Sequence, residues 1–386
     1  MFKRIFLIVL DSVGVGAALD ADKYDDLGTN TFIHATEAVK QDYPNLRKIG
    51  YFNLANNNND DKTITYYTKG IEKSNGKDTL TGHLEMMNVI TEIPFKTFLN
   101  GFPNELINEL EDKTGRKIIG NIAASGTEII KELGPRQMET GELIVYTSAD
   151  SVLQIAAHED IIPLNELYRC CSIAREITLK DEWKVGRVIA RPYIGEPGNF
   201  TRTPNRHDYA LNPAHKTVLD TLKENNYEVI SIGKIADVFN NCGITKSTKT
   251  KDNLDGINKI LEVEDMEFKG LCFANLNDYD SKYGHRRDPI GYANALKEFN
   301  DYLPNIINKL HDDDLLIITA DHGNDPTYKG TDHTRENTPI IFYHKGIEEG
   351  KRLDNLECFN HIGYTILDNF NLNFEKTNTV LDEIKN

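Results

Sequence analysis

Three stretches of the chain share one pattern, a largely apolar run that ends abruptly in acids. Ile5 to Leu10 stops at Asp11, Leu271 to Leu276 leads through Asn277 to Asp278 and Asp280, and Leu315 to Ala320 stops at Asp321. Short continuous apolar runs rich in β-branched residues predict strands covered on both faces, as in parallel sheets. Beyond residue 213 such runs alternate with helical patterns. A helix near Thr217 to Glu224 precedes a strand at Glu228 to Ile232, and a helix at Leu254 to Leu261 precedes a strand at Gly270 to Leu276. A long helix within Asp288 to Leu310, the Leu315 strand, a short strand at Pro339 to Tyr343 and a helix around Phe359 to Asn369 follow. This rhythm predicts a parallel sheet covered by helices, and the Ile5 strand most simply joins it.

The middle of the chain has a different texture. A helix over 104 to 111, a strand at Lys117 to Ile119, a helix through Glu166 to Glu176 and a strand at Arg187 to Ala190 are separated by polar loops. One loop, Pro197 to Asp208, is basic and holds Arg202, Arg206 and His207. Short strands mixed with helices predict an inserted α+β domain at 97–212, leaving 1–96 and 213–386 as one α/β core.

Ligands of parallel α/β sheets bind at the carboxyl ends of the strands. That rule places Asp11, Asp280, His285, Asp321, His322 and His333 along one edge. So many carboxylates and imidazoles repel one another or desolvate badly without cations, and two divalent metals are the economical explanation. Two other phosphate-binding readings fail. Gly14-Val15-Gly16 lacks the third glycine of a dinucleotide fingerprint, and Gly76-Lys77-Asp78 has no hydroxyl residue where a P-loop requires one. Thr79, Thr81 and His83 remain as two hydroxyls and a base candidate; such clusters serve as turn-formers and caps as well as nucleophiles. For Arg202 and Arg206, surface salt bridging and binding of a ligand phosphate both stay open.

Composition narrows the picture. The 386 residues are 39% hydrophobic, enough for two cores. With 44 basic and 60 acidic residues the formal charge is −16, which disfavours nucleic acid and anionic membranes as partners. The five cysteines show no metal-ligand spacing and read as reduced thiols. The apolar run after Lys3-Arg4 is too short for a signal-peptide core, so a cytoplasmic protein is expected.

Several longer motifs carry a family resemblance. They are Asp11-Ser12-Val13-Gly14-Val15-Gly16, Gly76-Lys77-Asp78-Thr79 with Thr81-Gly82-His83, and Tyr146-Thr147-Ser148-Ala149-Asp150-Ser151. Arg202-Thr203-Pro204-Asn205-Arg206-His207-Asp208-Tyr209, Tyr283-Gly284-His285-Arg286-Arg287-Asp288, Ala320-Asp321-His322-Gly323-Asn324-Asp325-Pro326 and Gly330-Thr331-Asp332-His333-Thr334-Arg335 complete the set. Over essentially its whole length the chain resembles the phosphopentomutases of the alkaline phosphatase superfamily. The resemblance implies an alkaline-phosphatase-like parallel sheet core with helices on both faces, an inserted α+β cap domain, and two Mn(II) ions. It implies that Asp11, Asp321 and His322 hold one metal together with the Thr79 oxygen, that Asp280, His285 and His333 hold the other, and that Thr79 carries the phosphoryl group. Asp150, Arg187, Arg202 and Lys234 fall where the family contacts the sugar phosphate. A sugar bisphosphate, of glucose or ribose, is the implied primer, and ribose and 2-deoxyribose phosphates are the implied substrates. Leu84 stands where the family usually has Trp, Asn88 and Ile33 where it has Gly, and Asn277 where it has an apolar residue. These departures bear on substrate fit and loop geometry rather than on reaction class. A cofactor-independent phosphoglycerate mutase-like enzyme or a phosphatase of the same superfamily is the alternative, and a metal-stabilised binding protein without catalysis is the reading from another class.

Overall fold

The structure, a computed structural model, describes residues 1–148, 151–373 and 377–385. The chain divides into two compact units, Met1–Glu92 with Asn212–Asn386, and Ile93–Leu211. The first boundary falls before residue 96 because Lys96 is tied into the second unit: its amide donates to the Lys184 carbonyl (2.8 Å) and its carbonyl accepts from Ser151 Oγ (2.6 Å).

The larger unit is built on an eight-stranded sheet. From one side the order is Lys246–Thr248, Glu228–Ile232, Gly270–Leu276, Arg4–Leu10, Asp314–Thr319, Thr338–Tyr343, Tyr66–Gly70 and Lys351–Arg352. Arg4–Leu10 lies at the centre, pairing in parallel with Gly270–Leu276 and Asp314–Thr319. Phe6, Ile8 and Leu10 point into a cluster with Tyr292, Leu296, Phe299 and Leu303 of the Pro289–Lys309 helix. The alternating Ile5, Leu7 and Val9 face the other way and are equally buried, so the sheet is covered on both faces, as its uninterrupted apolar strands require.

One strand departs from the parallel expectation. Thr338–Tyr343 runs antiparallel to both neighbours. The connection from Asp314–Thr319 contains no crossover helix, so the chain re-enters the sheet at the edge it has just left and must run the opposite way. The segment 320–337 therefore stays at the carboxyl edge of the other strands. Tyr66–Gly70, antiparallel in turn to Thr338–Tyr343, ends at that same edge and leads into the Thr79–Met86 helix.

The smaller unit has its own six-stranded mixed sheet, ordered Ile118–Ala123, Leu143–Thr147, Val152–His158, Arg187–Glu196 and Asn199–Arg202, with His207–Ala210 also pairing with Arg187–Glu196. Leu143 and Val145 pack on one face in a cluster with Leu106, Leu110, Cys170 and Cys171; Ile144 and Tyr146 pack on the other with Ile129 and Ile130 of the Gly126–Thr140 helix. The basic stretch expected to be a loop includes residues of those last two short strands, each paired antiparallel with Arg187–Glu196. Among the described residues no helix is long and apolar enough to cross a membrane.

The opposite edge of the large sheet is closed by charge. Arg4, buried, makes paired hydrogen bonds to Asp314 at 2.8 and 2.5 Å and donates to the carbonyls of Glu264 and Met266. Removing one partner strands the other charge in the core. Asp314→Ala is expected to lower unfolding free energy by about 3–5 kcal/mol; a urea midpoint equal to the unmodified protein's would contradict this.

Candidate metal centre and nucleophile

The carboxyl ends of adjacent parallel strands deliver the site. Lys234 follows Glu228–Ile232, Asp280 follows Gly270–Leu276, Asp11 follows Arg4–Leu10, and Asp321 and His322 follow Asp314–Thr319. Asp280 sits in a wide π-type turn, Tyr279–Gly284, a geometry frequent at functional sites. Ser12 adopts a left-handed φ of 70° so that its amide donates to Asp321 Oδ1 at 2.9 Å. This is backbone strain held in place by the groups around it.

Ligand atoms of Asp11, Asp321 and His322 lie within 4.8 Å of one another, and so do those of Asp280, His322 and His333. His285 flanks the second group, with Nε2 3.3 Å from Asp280 Oδ2. The structure thus brings together all six residues expected to hold metal, and sets His322 between the two groups rather than in one alone. The imidazoles are oriented for ligation. His322 Nδ1 lies 2.9 Å from the Gly323 carbonyl and His285 Nδ1 2.7 Å from the Thr331 carbonyl, which leaves each Nε2 directed at the carboxylates.

The donor set fits divalent cations. Asp11, Asp280 and Asp321 are buried together with His322 and His333. Asp11 Oδ1, Asp321 Oδ2 and His333 Nε2 find no hydrogen-bond partner among the described residues. Buried polar atoms are left unpaired so rarely that three converging in one place point to a ligand that satisfies them. The titration of these groups follows the same crowding. Burial, then the Asp321 charge, pushes Asp11 above the usual carboxylate range. Burial acts the same way on Asp280 and Asp321, but is outweighed by His333 and His285 for the first and by His322 and His83 for the second, so both fall well below it. His322 is disfavoured as a cation by burial, yet Asp321 above all lifts it to about 10.

Thr79 is the first residue of the Thr79–Met86 helix, and its Oγ1 lies 3.1 Å from His322 Nε2 and 3.2 Å from Lys234 Nζ. Thr81 instead secures the start of that helix. Its hydroxyl donates to Asp78 Oδ2 at 2.6 Å, while Asp78 caps the helix by accepting from the amides of Leu80 and Thr81. His83 faces inward. Its Nδ1 is 2.8 Å from the Thr79 carbonyl and 3.1 Å from Asp321 Oδ2, and its Nε2 is 3.2 Å from Asn275 Nδ2. The same amide donates to Asp11 at 3.0 Å. With Nε2 accepting from that amide, His83 carries its proton on Nδ1.

Lys234 ion-pairs with Asp11 at 2.7 Å and donates to Asn277 Oδ1 at 2.8 Å. Arg187 and Arg202 belong to the smaller unit, where Arg187 lies 3.7 Å from Asp208. Asp150 lies outside the described residues. Of the departures from the family pattern, Asn88 has a φ of 68°, a left-handed position that asparagine tolerates in place of glycine.

Several supporting residues carry no sequence signal strong enough to single them out. Asn275 is marked only as a polar residue inside an apolar strand. Asn324 orients Asp280 through a 2.8 Å hydrogen bond. Buried Arg335 clamps the loop before Thr79, bonding Glu72 Oε2 (2.6 Å) and the carbonyls of Glu72, Ser74 and Gly76, and also pairing with Asp20.

A model of the Metalloenzyme superfamily matches residues 3–374, and the chain belongs to that superfamily. Among solved structures it is similar to the PH0037 protein from Pyrococcus horikoshii, at 13% identity and a TM-score of 0.51 over 96% of this chain and 98% of that one. It also aligns with phosphoglycerate mutase from Leishmania mexicana (10% identity, 95% of each chain, TM-score 0.43) and with alkaline phosphatase from the Antarctic bacterium TAB5 (12% identity, 95% of this chain and 97% of that one, TM-score 0.32). At such identities the likeness to the Pyrococcus protein concerns the fold.

The Thr79–Met86 helix reaches this centre because Gly82 has no side chain. A methyl group there would lie 2.1 Å from the Asp321 carbonyl oxygen. In an unobstructed helix Gly→Ala stabilises by about 1 kcal/mol. Here Gly82→Ala is expected instead to push the helix off Asp321 and weaken divalent-metal affinity by about 10–100-fold, as loss of a group that orients ligands does. Competition with a chromogenic chelator measures it, and unchanged affinity would show that the close approach is dispensable.

Proposed function

We propose that this protein is a phosphopentomutase, interconverting ribose 1-phosphate, and 2-deoxyribose 1-phosphate, with the 5-phosphates. The reading rests on one observation above all: a threonine oxygen placed at a helix N-terminus, within hydrogen-bond distance of both a lysine ammonium and an imidazole of a buried carboxylate–histidine cluster. A threonine hydroxyl is a poor nucleophile at neutral pH and needs such surroundings to react.

The residues that would hold two Mn(II) ions are Asp11, Asp321 and His322 with Thr79 for one, and Asp280, His285 and His333 for the other. Bound there, divalent ions lower the pKa of a coordinated hydroxyl and neutralise charge on phosphoryl oxygens. The chain's own groups do the rest. Phosphorylated Thr79 gives its phosphoryl group to the C1 hydroxyl of ribose 5-phosphate; the Oγ–P bond breaks as the new O–P bond forms, and ribose 1,5-bisphosphate results. Lys234, 3.2 Å from Oγ1, faces the alkoxide as it is uncovered. After the bisphosphate turns end for end, Oγ1 takes the 5-phosphoryl group and ribose 1-phosphate leaves. The N-terminal amides of the Thr79 helix favour negative charge on the phosphothreonine. A glucose or ribose bisphosphate primes the first turnover. Asp150, Arg187, Arg202 and Lys234 are assigned to the sugar phosphate, and the smaller unit to a cap that keeps water from the phosphothreonine. The activity would link nucleoside salvage and catabolism to pentose phosphate metabolism.

Purified protein incubated with Mn(II), ribose 1-phosphate and a catalytic amount of glucose 1,6-bisphosphate is expected to form ribose 5-phosphate. Inorganic phosphate as the sole product would mean a phosphatase instead. Thr79→Ala should leave two metals bound, through the carboxylates and histidines that remain, and abolish the phosphoenzyme seen by intact mass. Thr81→Ala should keep the phosphoenzyme and lose about 1 kcal/mol of stability with its bond to Asp78. If phosphate appears on the Thr79 variant, or vanishes from the Thr81 variant, the nucleophile is misassigned.

A further inference from the structure

Two arginines stand side by side after His285, and the structure uses them differently. Arg286 is exposed, while Arg287 is half-buried and holds a left-handed φ of 52°, a strained conformation for a residue with a Cβ. The Arg287 guanidinium spends every N–H it has. Nε donates to the Gly330 carbonyl at 2.5 Å, Nη1 to the Gly284 carbonyl at 2.7 Å and to Asn324 Oδ1 at 2.5 Å, and Nη2 to the carbonyls of Asp332 at 2.8 Å and Lys329 at 3.4 Å. All of these acceptors are neutral oxygens, so charge pairing does not explain the placement.

The neighbours of those acceptors do explain it. Gly284 ends the π-type turn that carries Asp280, and the next residue is His285. Gly330 and Asp332 flank Thr331, whose carbonyl lies 2.7 Å from His285 Nδ1, and Asp332 is followed by His333. Asn324 completes the set. With its Oδ1 held by a group that can only donate, Asn324 must turn Nδ2 toward Asp280 Oδ1, at 2.8 Å. One guanidinium therefore reaches Asp280, His285 and His333, each through a single bond or a single residue, although the ligands come from two separate segments. An arginine that merely braced these segments would have no reason to bind the positions that alternate with the ligands. A rigid planar fork fixes both the place and the direction of its acceptors, and partners that orient ligands in this way set metal affinity.

We infer that Arg287 is a positioning residue of the metal centre, setting Asp280, His285 and His333 relative to one another without touching an ion. The inference rests on the two-metal reading proposed above and is independent of which phosphate compound is turned over.

The full chain, freed of metal by chelator and dialysed against graded Mn(II), is expected to take up two ions. Arg287→Met should weaken one of them by about 10–100-fold and leave the other unchanged. Arg287→Lys keeps the stem and the charge, and serves if the first variant does not fold. It should lose nearly as much, since an ammonium cannot span those acceptors. Arg286→Ala, which removes the neighbouring charge, should bind both ions as the unmodified protein does. Arg287→Met combined with His285→Ala should lose little more than His285→Ala alone, because both act on the same ion. Two ions held by Arg287→Lys with unmodified affinity, equal weakening of both ions, a matching loss in Arg286→Ala, or fully additive losses with His285→Ala would each overturn the inference and leave the two-metal reading standing. Uptake of fewer than two ions by the unmodified protein would overturn that reading, and the inference with it.

Discussion

Three carboxylates buried beside one another are the constraint that the larger unit is built to satisfy. Asp11, Asp280 and Asp321 reach the interior because the strands before them have no exposed face. Isolated ionised carboxylates at such depth cost far more than a domain's net stability. Histidines, Lys234 and oriented amides offset part of that cost, and the remaining unpaired oxygens match a site made for cations. Neighbouring features follow from it: the strained Ser12 backbone that turns an amide onto Asp321, Asn324 holding Asp280, and Asn275 bridging Asp11 to His83.

Thr79, the candidate nucleophile, is held by a separate set of bonds. Asp78 caps the Thr79 helix, Gly82 lets the helix approach the Asp321 backbone, and Arg335 binds the loop leading into it. Arg335 also lies two residues beyond His333, in the segment that the antiparallel Thr338–Tyr343 strand keeps at the site edge. One stretch of chain thus orders both a candidate metal ligand and the approach to Thr79.

Much of this is legible in the sequence because the informative signals are local. An apolar run and the acid that ends it are contiguous, so pattern alone places Asp11, Asp280 and Asp321 on one edge. Residue type does not distinguish Thr79 from Thr81; the motif resemblance points to Thr79, and the cap bond from Thr81 to Asp78 supplies a physical reason. The contacts that the sequence does not reveal join distant segments. Arg4 pairs with Asp314, Asn275 bonds His83, and Arg335 reaches Glu72. No periodicity records such meetings. The direction of Thr338–Tyr343 breaks the expected parallel rhythm because the connection before it has no crossover helix, and an apolar hexamer looks the same whichever way it runs.

The central position of Arg4–Leu10 also bears on the order in which the molecule assembles. Its partners on either side begin at Gly270 and Asp314, so the middle of the large sheet cannot close until most of the polypeptide has been made. The smaller unit pairs strands lying near one another in sequence, between Ile118 and Ala210. Low separation between pairing partners favours fast folding. The unit inserted into the chain is therefore the one suited to form first, while the opening strand, apolar from Ile5 onward, waits unpaired for the residues that will flank it.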